Sequence, residues 1–233
     1  MILAQGIFSW WGSQFQLMIF VAPAILLAIW AQFKVRSTYA AAMKQPASMS
    51  GAMAAREVLD GAGLHDVGIE IVPGELSDHY DSHDKVLRLS PEVFQSRSLA
   101  AVGIAAHEAG HAIQHAHGYA PLAIRSAAVP LASFGSGISY LLLFGGIVMN
   151  MPYLLWAGII AFSGVVFFQL VNLPVEFNAS SRAKAELVSL GIVRQQDMGA
   201  VNSVLNAAAL TYVAATLQSV LTLLYYVMRA NRN

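Results

Sequence analysis

Eleven residues, His107-Glu108-Ala109-Gly110-His111-Ala112-Ile113-Gln114-His115-Ala116-His117, hold four histidines and one glutamate. Histidine is the commonest metal ligand. His107 and His111 stand four residues apart, so on a helix they stack on one face and can share one ion. Glu108 lies beside the first of them, where it reaches a water on that ion without itself binding the ion. This is the spacing of a zinc hydrolase: two neutral imidazoles, a water whose pKa the metal lowers, and a carboxylate to take the proton. Ala105, Ala106, Ala109 and Gly110 flank the motif and leave room for a second element to approach.

A catalytic zinc takes three protein ligands and leaves a fourth position for water. His115 shares the helical face of His107 and His111, but eight residues of helix span about 12 Å and a zinc–nitrogen bond is about 2 Å. His115 is therefore expected to be a supporting or surface group. His117 fills the third histidine position of HExxHxxGxxH. That pattern needs glycine where this chain has Gln114, and Ala112, Ile113, Gln114 and Ala116 all favour an uninterrupted helix. Gly118 comes too late, and a hydrophobic hairpin follows where a Met-turn would stand. A carboxylate elsewhere is the remaining choice. Glu176, in Leu173-Pro174-Val175-Glu176-Phe177-Asn178-Ala179-Ser180, is the first charged residue after that hairpin. Proline followed by glutamate is also an ordinary helix-start signal, so the residues by themselves leave Glu176 open between the two roles.

The elements that must position these groups are mostly apolar. Charged residues make up 11% of the 233 and hydrophobic ones 57%, with a mean hydropathy of +0.57. Soluble domains carry about 25% charged residues, so this composition points to a membrane-embedded chain. The net charge of zero gives no electrostatic ground for nucleic-acid binding. The absence of cysteine excludes disulfides and thiolate zinc sites.

Residues 15–33 are long and apolar enough to cross a bilayer and read as a retained anchor rather than a signal peptide. Residues 127–149 and 152–173 form an apolar pair around a short turn at Asn150 and Pro152. Residues 206–228 form a weaker fourth segment, with Thr211, Thr216, Gln218, Ser219 and Thr222 inside it. Of the 13 lysines and arginines, eight fall in residues 34–125 and three in residues 176–197. The positive-inside tendency places both polar regions in the cytoplasm; Arg229 and Arg232 fit this badly.

Within the first polar region, residues 50–62 read as an amphipathic helix, 67–72 and 85–89 as strands, Ser90-Pro91-Glu92 as a capped helix start, and 99–117 as the helix carrying the histidines. The expected organisation is an anchor at 1–33, a cytoplasmic part with short strands and the HExxH helix at 34–126, a transmembrane hairpin at 127–173, a helical region at 174–205, and a C-terminal hydrophobic helix at 206–233. Together these make one catalytic domain.

The chain resembles the YugP-type membrane zinc metallopeptidases. The resemblance is carried by HEAGHAIQHA, two apolar spans, LPVEFNAS, AAALTYVAA at 207–215, and by DHYD (78–81) and KVLRLSPEV ahead of the zinc motif. More distantly it resembles the heat-shock and CAAX-prenyl-type membrane zinc proteases, where HExxH and an E-F/Y-x-A-D stretch also flank transmembrane helices. The resemblance implies His107 and His111 as ligands of one zinc ion per chain, Glu108 as general base and Glu176 as third ligand, a gluzincin-like set. The chain departs from the distant pattern at Ser180, where that pattern has aspartate. Asn178 or another group is then expected to orient a zinc-bound imidazole.

These readings predict a mostly α, integral membrane protein with about four transmembrane helices and a small cytoplasmic zincin-like α+β element carrying HExxH. The expected function is a zinc-dependent endopeptidase that hydrolyses peptide bonds with a zinc-activated water. Peptides or membrane proteins would be its substrates and the lipid bilayer its surroundings, with the active site on the cytoplasmic side of a bacterial plasma membrane. The 85–89 strand could take a peptide on an exposed edge, and Tyr80, Arg182 and Tyr212 are candidate oxyanion donors. One rival is a non-catalytic metal-binding scaffold or transporter component, against which an intact Glu108 argues. The other is a metzincin-like protease using His117 on the opposite side of the membrane.

Overall fold

The computed structural model describes residues 2–232. The chain is mostly helical, with α1 Ile2–Met43, α2 Gly51–Gly61, β1 Gly68–Ile71, β2 His79–Asp81, β3 Val86–Leu89, α3 Pro91–Gln95, α4 Leu99–Ala116, α5 Ala120–Val148, α6 Pro152–Ser189 and α7 Met198–Ala230. Four of these helices, α1, α5, α6 and α7, contain windows long and apolar enough to cross a membrane. The chain divides into two compact units: residues 1–30, 124–173 and 211–233, and residues 31–123 and 174–210.

The first unit is built from apolar helical segments. Leu143, Ile147, Leu155, Ile159, Tyr225 and Tyr226 form its buried cluster. Outward-facing Phe15, Leu26, Phe134, Leu141 and Ile160 stay exposed, the pattern of helices whose outer faces meet hydrocarbon rather than water. The α5–α6 turn is as tight as the sequence suggested. Asn150 adopts φ +53° and Pro152 opens α6, where its missing N–H costs nothing. Glycines let the two arms touch: a Cβ on Gly146 would sit 2.5 Å from the Leu155 backbone nitrogen, and one on Gly158 would sit 2.9 Å from that of Leu143.

The second unit holds the polar chemistry. Ser50 caps α2 by accepting from Met53 N–H, and the helix buries Ala54, Ala55, Val58 and Leu59. In β3 the alternation is clean: Leu87 and Leu89 are fully buried, whereas Arg88 pairs with Asp81 and Asp84. The sheet order is β1-β3-β2, with β1 parallel to β3 and β2 antiparallel to it. The short β2, inside DHYD, went unrecognised in the sequence pattern. Its ends are tied by side chains: Asp78 accepts from the backbone and hydroxyl of Ser90. Asp81 accepts from the backbone N–H groups of Asp84 and His83. Those N–H groups and the Arg88 guanidinium hold the Asp81 carboxyl down at about 2.

This topology corrects one expectation. The 85–89 strand is central, with β1 on one side and β2 on the other, so it has no free edge for a peptide. Lys85 lies outside the strand at φ +55°. Ser90 does precede α3, but its hydroxyl bonds Asp78 instead of capping the helix.

The core of this unit gathers Leu59, Leu87, Leu89, Val93, Val102, Leu187 and Val201. Its tightest point is the start of α2. A Cβ on Gly51 would lie 2.2 Å from the Val93 carbonyl oxygen and 2.9 Å from that of Ala101. Overpacking of this kind costs about 1–3 kcal/mol, so Gly51→Ala should lower the melting temperature of the purified protein. Gly199, near the start of α7, has nothing within 4 Å of its would-be Cβ. Gly199→Ala should leave the melting temperature unchanged or raise it slightly, and a drop equal to that of Gly51→Ala would contradict the packing account.

Candidate metal centre

Helix α4 runs through the core of its unit, and its composition permits that. Ser98 caps it by accepting from Ala101 N–H. Ala100, Ala101, Ala105, Ala106, Ala109 and Ala112 are all essentially buried, so neighbouring backbones approach from several sides. The helix stops in a Schellman arrangement. Gly118 takes φ +60°, its N–H donates to the His115 carbonyl, and Tyr119 N–H donates to that of Gln114.

Across from α4 lies the second half of α6. The helix-start reading of Pro174 and Glu176 is overturned here: α6 is unbroken from Pro152 to Ser189 and Pro174 sits inside it. Glu176 is thus a helix-interior residue, and Ser180, four residues on, shares its face. Contact between the helices is backbone-close. A Cβ on Gly110 would fall 2.6 Å from the Ala179 carbonyl oxygen.

That approach brings His107, His111 and Glu176 together, with one ligand-capable atom from each within 4.8 Å of the others. Glu176 Oε2 is 3.3 Å from His107 Nε2 and 3.7 Å from His111 Nε2. It is buried and makes no hydrogen bond. Ligands held at about 2.0–2.1 Å in a tetrahedron stand about 3.3 Å apart. A buried, unbonded carboxylate oxygen facing two imidazole nitrogens at this separation fits a zinc ion. Burial pushes the His111 imidazole down, but the Glu176 and Glu108 carboxylates outweigh it and its pKa stands above the usual value, so the field at this point is negative and favours a cation. Glu108, beside His107, is 9% exposed.

Both imidazoles are held from behind. His107 Nδ1 lies 3.1 Å from Ser180 Oγ, and His111 Nδ1 lies 3.0 Å from Gln114 Oε1. Ser180 therefore supports His107 itself, at the position where the distant pattern has aspartate. The Asn178 side chain is directed elsewhere: its Oδ1 accepts from Gln114 and Arg182. The role of Gln114 was not foreseen, since glutamine inside an alanine-rich helix looks like a helix former; its complete burial is what marks it.

A family whose description reads "Putative neutral zinc metallopeptidase" matches residues 17–231. The chain belongs to this family. It is also 50% identical over 215 residues to "Putative membrane protease YugP" of Bacillus subtilis (strain 168), covering 91% of this chain and 96% of that relative. No solved structure matches the chain.

The other histidines of the cluster lie outside the trio. His115 Nδ1 is 3.0 Å from the Tyr80 hydroxyl, and His117 Nδ1 is 3.2 Å from Arg182 Nη1. These contacts engage two of the expected oxyanion donors, Tyr80 and Arg182, in other pairings. Because the trio depends on the α4–α6 approach, Gly110→Ala should force the helices apart. Zinc retention after dialysis should fall sharply along with the melting temperature, while Gly199→Ala should retain zinc like the parent.

Proposed function

We propose that the protein is a membrane-embedded, zinc-dependent endopeptidase of the gluzincin-like kind, with His107, His111 and Glu176 as ligands and Glu108 as general base. The observation that carries this reading is the convergence of two imidazole nitrogens and a buried, unbonded carboxylate oxygen beside a second glutamate. Membership of a zinc metallopeptidase family supports it, as do four helices suited to crossing a membrane. The relative named as a membrane protease adds to it.

Zinc bound there would supply a Lewis acid that polarises a peptide carbonyl and makes water a competent nucleophile near neutral pH. The chain's own groups do the rest. Glu176 contributes the anionic oxygen of the ligand set. His107 and His111 contribute neutral nitrogens, held in place by Ser180 and Gln114. Glu108 takes the proton from the attacking water and delivers it to the departing amine. Substrates are peptides or membrane proteins, one zinc serves each chain, and the site faces the cytoplasm of a bacterial plasma membrane. The clustering of lysine and arginine in residues 34–125 and 176–197 supports that orientation.

Glu108→Gln should keep its zinc and its melting curve yet lose about 10²- to 10⁴-fold in peptide hydrolysis, the usual loss for a general base. Undiminished activity in that variant would remove the mechanism. Glu176→Ala should lose zinc, and His117→Ala should keep it, as metal analysis of both proteins will read. A zinc-replete Glu176→Ala beside a zinc-free His117→Ala would transfer the third ligand to His117. Because the chain has no cysteine, a single cysteine placed at His83 reports orientation cleanly. An impermeant thiol reagent should label it only after the cytoplasmic face is opened, and labelling in intact cells would reverse the topology.

A further inference from the structure

The hydrogen bonds behind His111 have a direction that can be read from groups whose roles are fixed. A backbone carbonyl only accepts and a guanidinium only donates. One amide atom of Gln114 lies 2.8 Å from the Val175 carbonyl oxygen, so it is the nitrogen. The same atom lies 3.0 Å from an atom of Asn178 that also receives Arg182 Nε at 2.8 Å, so that Asn178 atom is oxygen. Two independent partners, a carbonyl on one side and a guanidinium-marked oxygen on the other, thus orient the Gln114 amide the same way. Both of its N–H groups are consumed, and only its oxygen remains to face His111 Nδ1 at 3.0 Å. An oxygen without a hydrogen requires the proton to be on Nδ1. The lone pair of His111 is then on Nε2, the nitrogen 3.7 Å from Glu176 Oε2.

We propose that Gln114 is a positioning residue that locks His111 in the tautomer able to bind metal through Nε2. The proposal rests on the zinc reading of the site. Gln114 is fully buried and spans the two ligand-bearing helices, since Val175 immediately precedes Glu176. It therefore fixes the proton of one ligand and the distance to the backbone of another. His107 has no equivalent. A serine hydroxyl donates or accepts with equal ease, so Ser180 supports the His107 ring without dictating where its proton sits. Arg182 completes the arrangement by holding Asn178 with Nε and facing His117 Nδ1 with Nη1, which gives the last histidine of the cluster an anchoring task.

Two substitutions separate positioning from simple core filling. Gln114→Met keeps the length and apolar volume but presents no acceptor to His111. Gln114→Glu keeps an acceptor toward Nδ1 but removes the NH2 that serves Val175 and Asn178. The full chain is purified in detergent, stripped of metal and titrated with zinc against a chromophoric chelator, and each metal-free variant is also melted. Gln114→Met should bind zinc about 10- to 100-fold more weakly, the usual effect of losing a partner behind a ligating histidine. Gln114→Glu should bind as tightly as the parent or more tightly, while its metal-free form melts lower than that of Gln114→Met. A core-filling role requires the opposite order of zinc affinities, with Gln114→Met binding like the parent and Gln114→Glu more weakly. Parent-like affinity in Gln114→Met, or equal losses in both variants, would overturn the proposal while leaving the zinc site standing. A parent chain that binds no zinc would overturn the zinc reading itself, and this inference with it.

Discussion

Glu176 Oε2 lies buried between two imidazoles with no hydrogen bond of its own, and the rest of the polar unit is arranged around that fact. An uncompensated buried carboxylate costs several kcal/mol, so a helix carrying one needs a cation within reach of the same atom. Reaching it demands that α4 and α6 approach until only glycine fits at Gly110 against the Ala179 carbonyl. That demand explains why α4 is so rich in alanine, and why the residues behind the two imidazoles are small, as Ser180 is, or long enough to bridge both helices, as Gln114 is. The sheet and α2 complete the packing, burying Leu59, Leu87 and Leu89 in one cluster with Ala105, Ala106 and Ala109 of α4.

What the sequence made legible was what lies within one helix. His107, Glu108 and His111 follow from a periodicity of 3.6 residues, and His115 was set aside by the same geometry. Glu176 was different in kind. Its local context spelled a helix start, because proline in a helix interior removes a backbone bond, and tertiary packing overrode that preference within α6. Only family resemblance pointed across 65 residues to the carboxylate that the structure brings beside His107 and His111. Ser180 was seen as a departure, yet its hydroxyl reaches His107 directly. Gln114 and Asn178 carried no pattern because a hydrogen-bond chain between two helices leaves none. The strands show the same limit: β1 and β3 were marked by β-branched and alternating residues, whereas three residues of β2 with two charged or polar side chains were not. Which strand is central depends on pairing, and pairing is not written in either strand alone.

Helix α6 carries two kinds of sequence in one continuous run. Residues 152–173 are almost wholly apolar, with Ile160, Phe167 and Leu170 exposed, while Glu176, Asn178, Ser180 and Arg182 follow within the next nine residues. No loop separates the two stretches, so Glu176 stands inside a continuous helix and not on a loop. A site carried on rigid elements keeps its ligands in place more precisely than one carried on loops.

The neutral partners behind the histidines also follow from charge. Glu176 and Glu108 together carry two negative charges, which a divalent cation would balance. Replacing Ser180 or Gln114 by a carboxylate would raise imidazole basicity but would place a third negative charge at a buried position, where desolvation penalises it most. A hydroxyl and an amide orient the rings without that charge. The amide does more than the hydroxyl, because both of its donors are engaged by Val175 and Asn178 and its oxygen has one direction left to face. The imidazoles are therefore oriented by hydrogen-bond direction instead of added charge, which is the arrangement a low-dielectric setting favours.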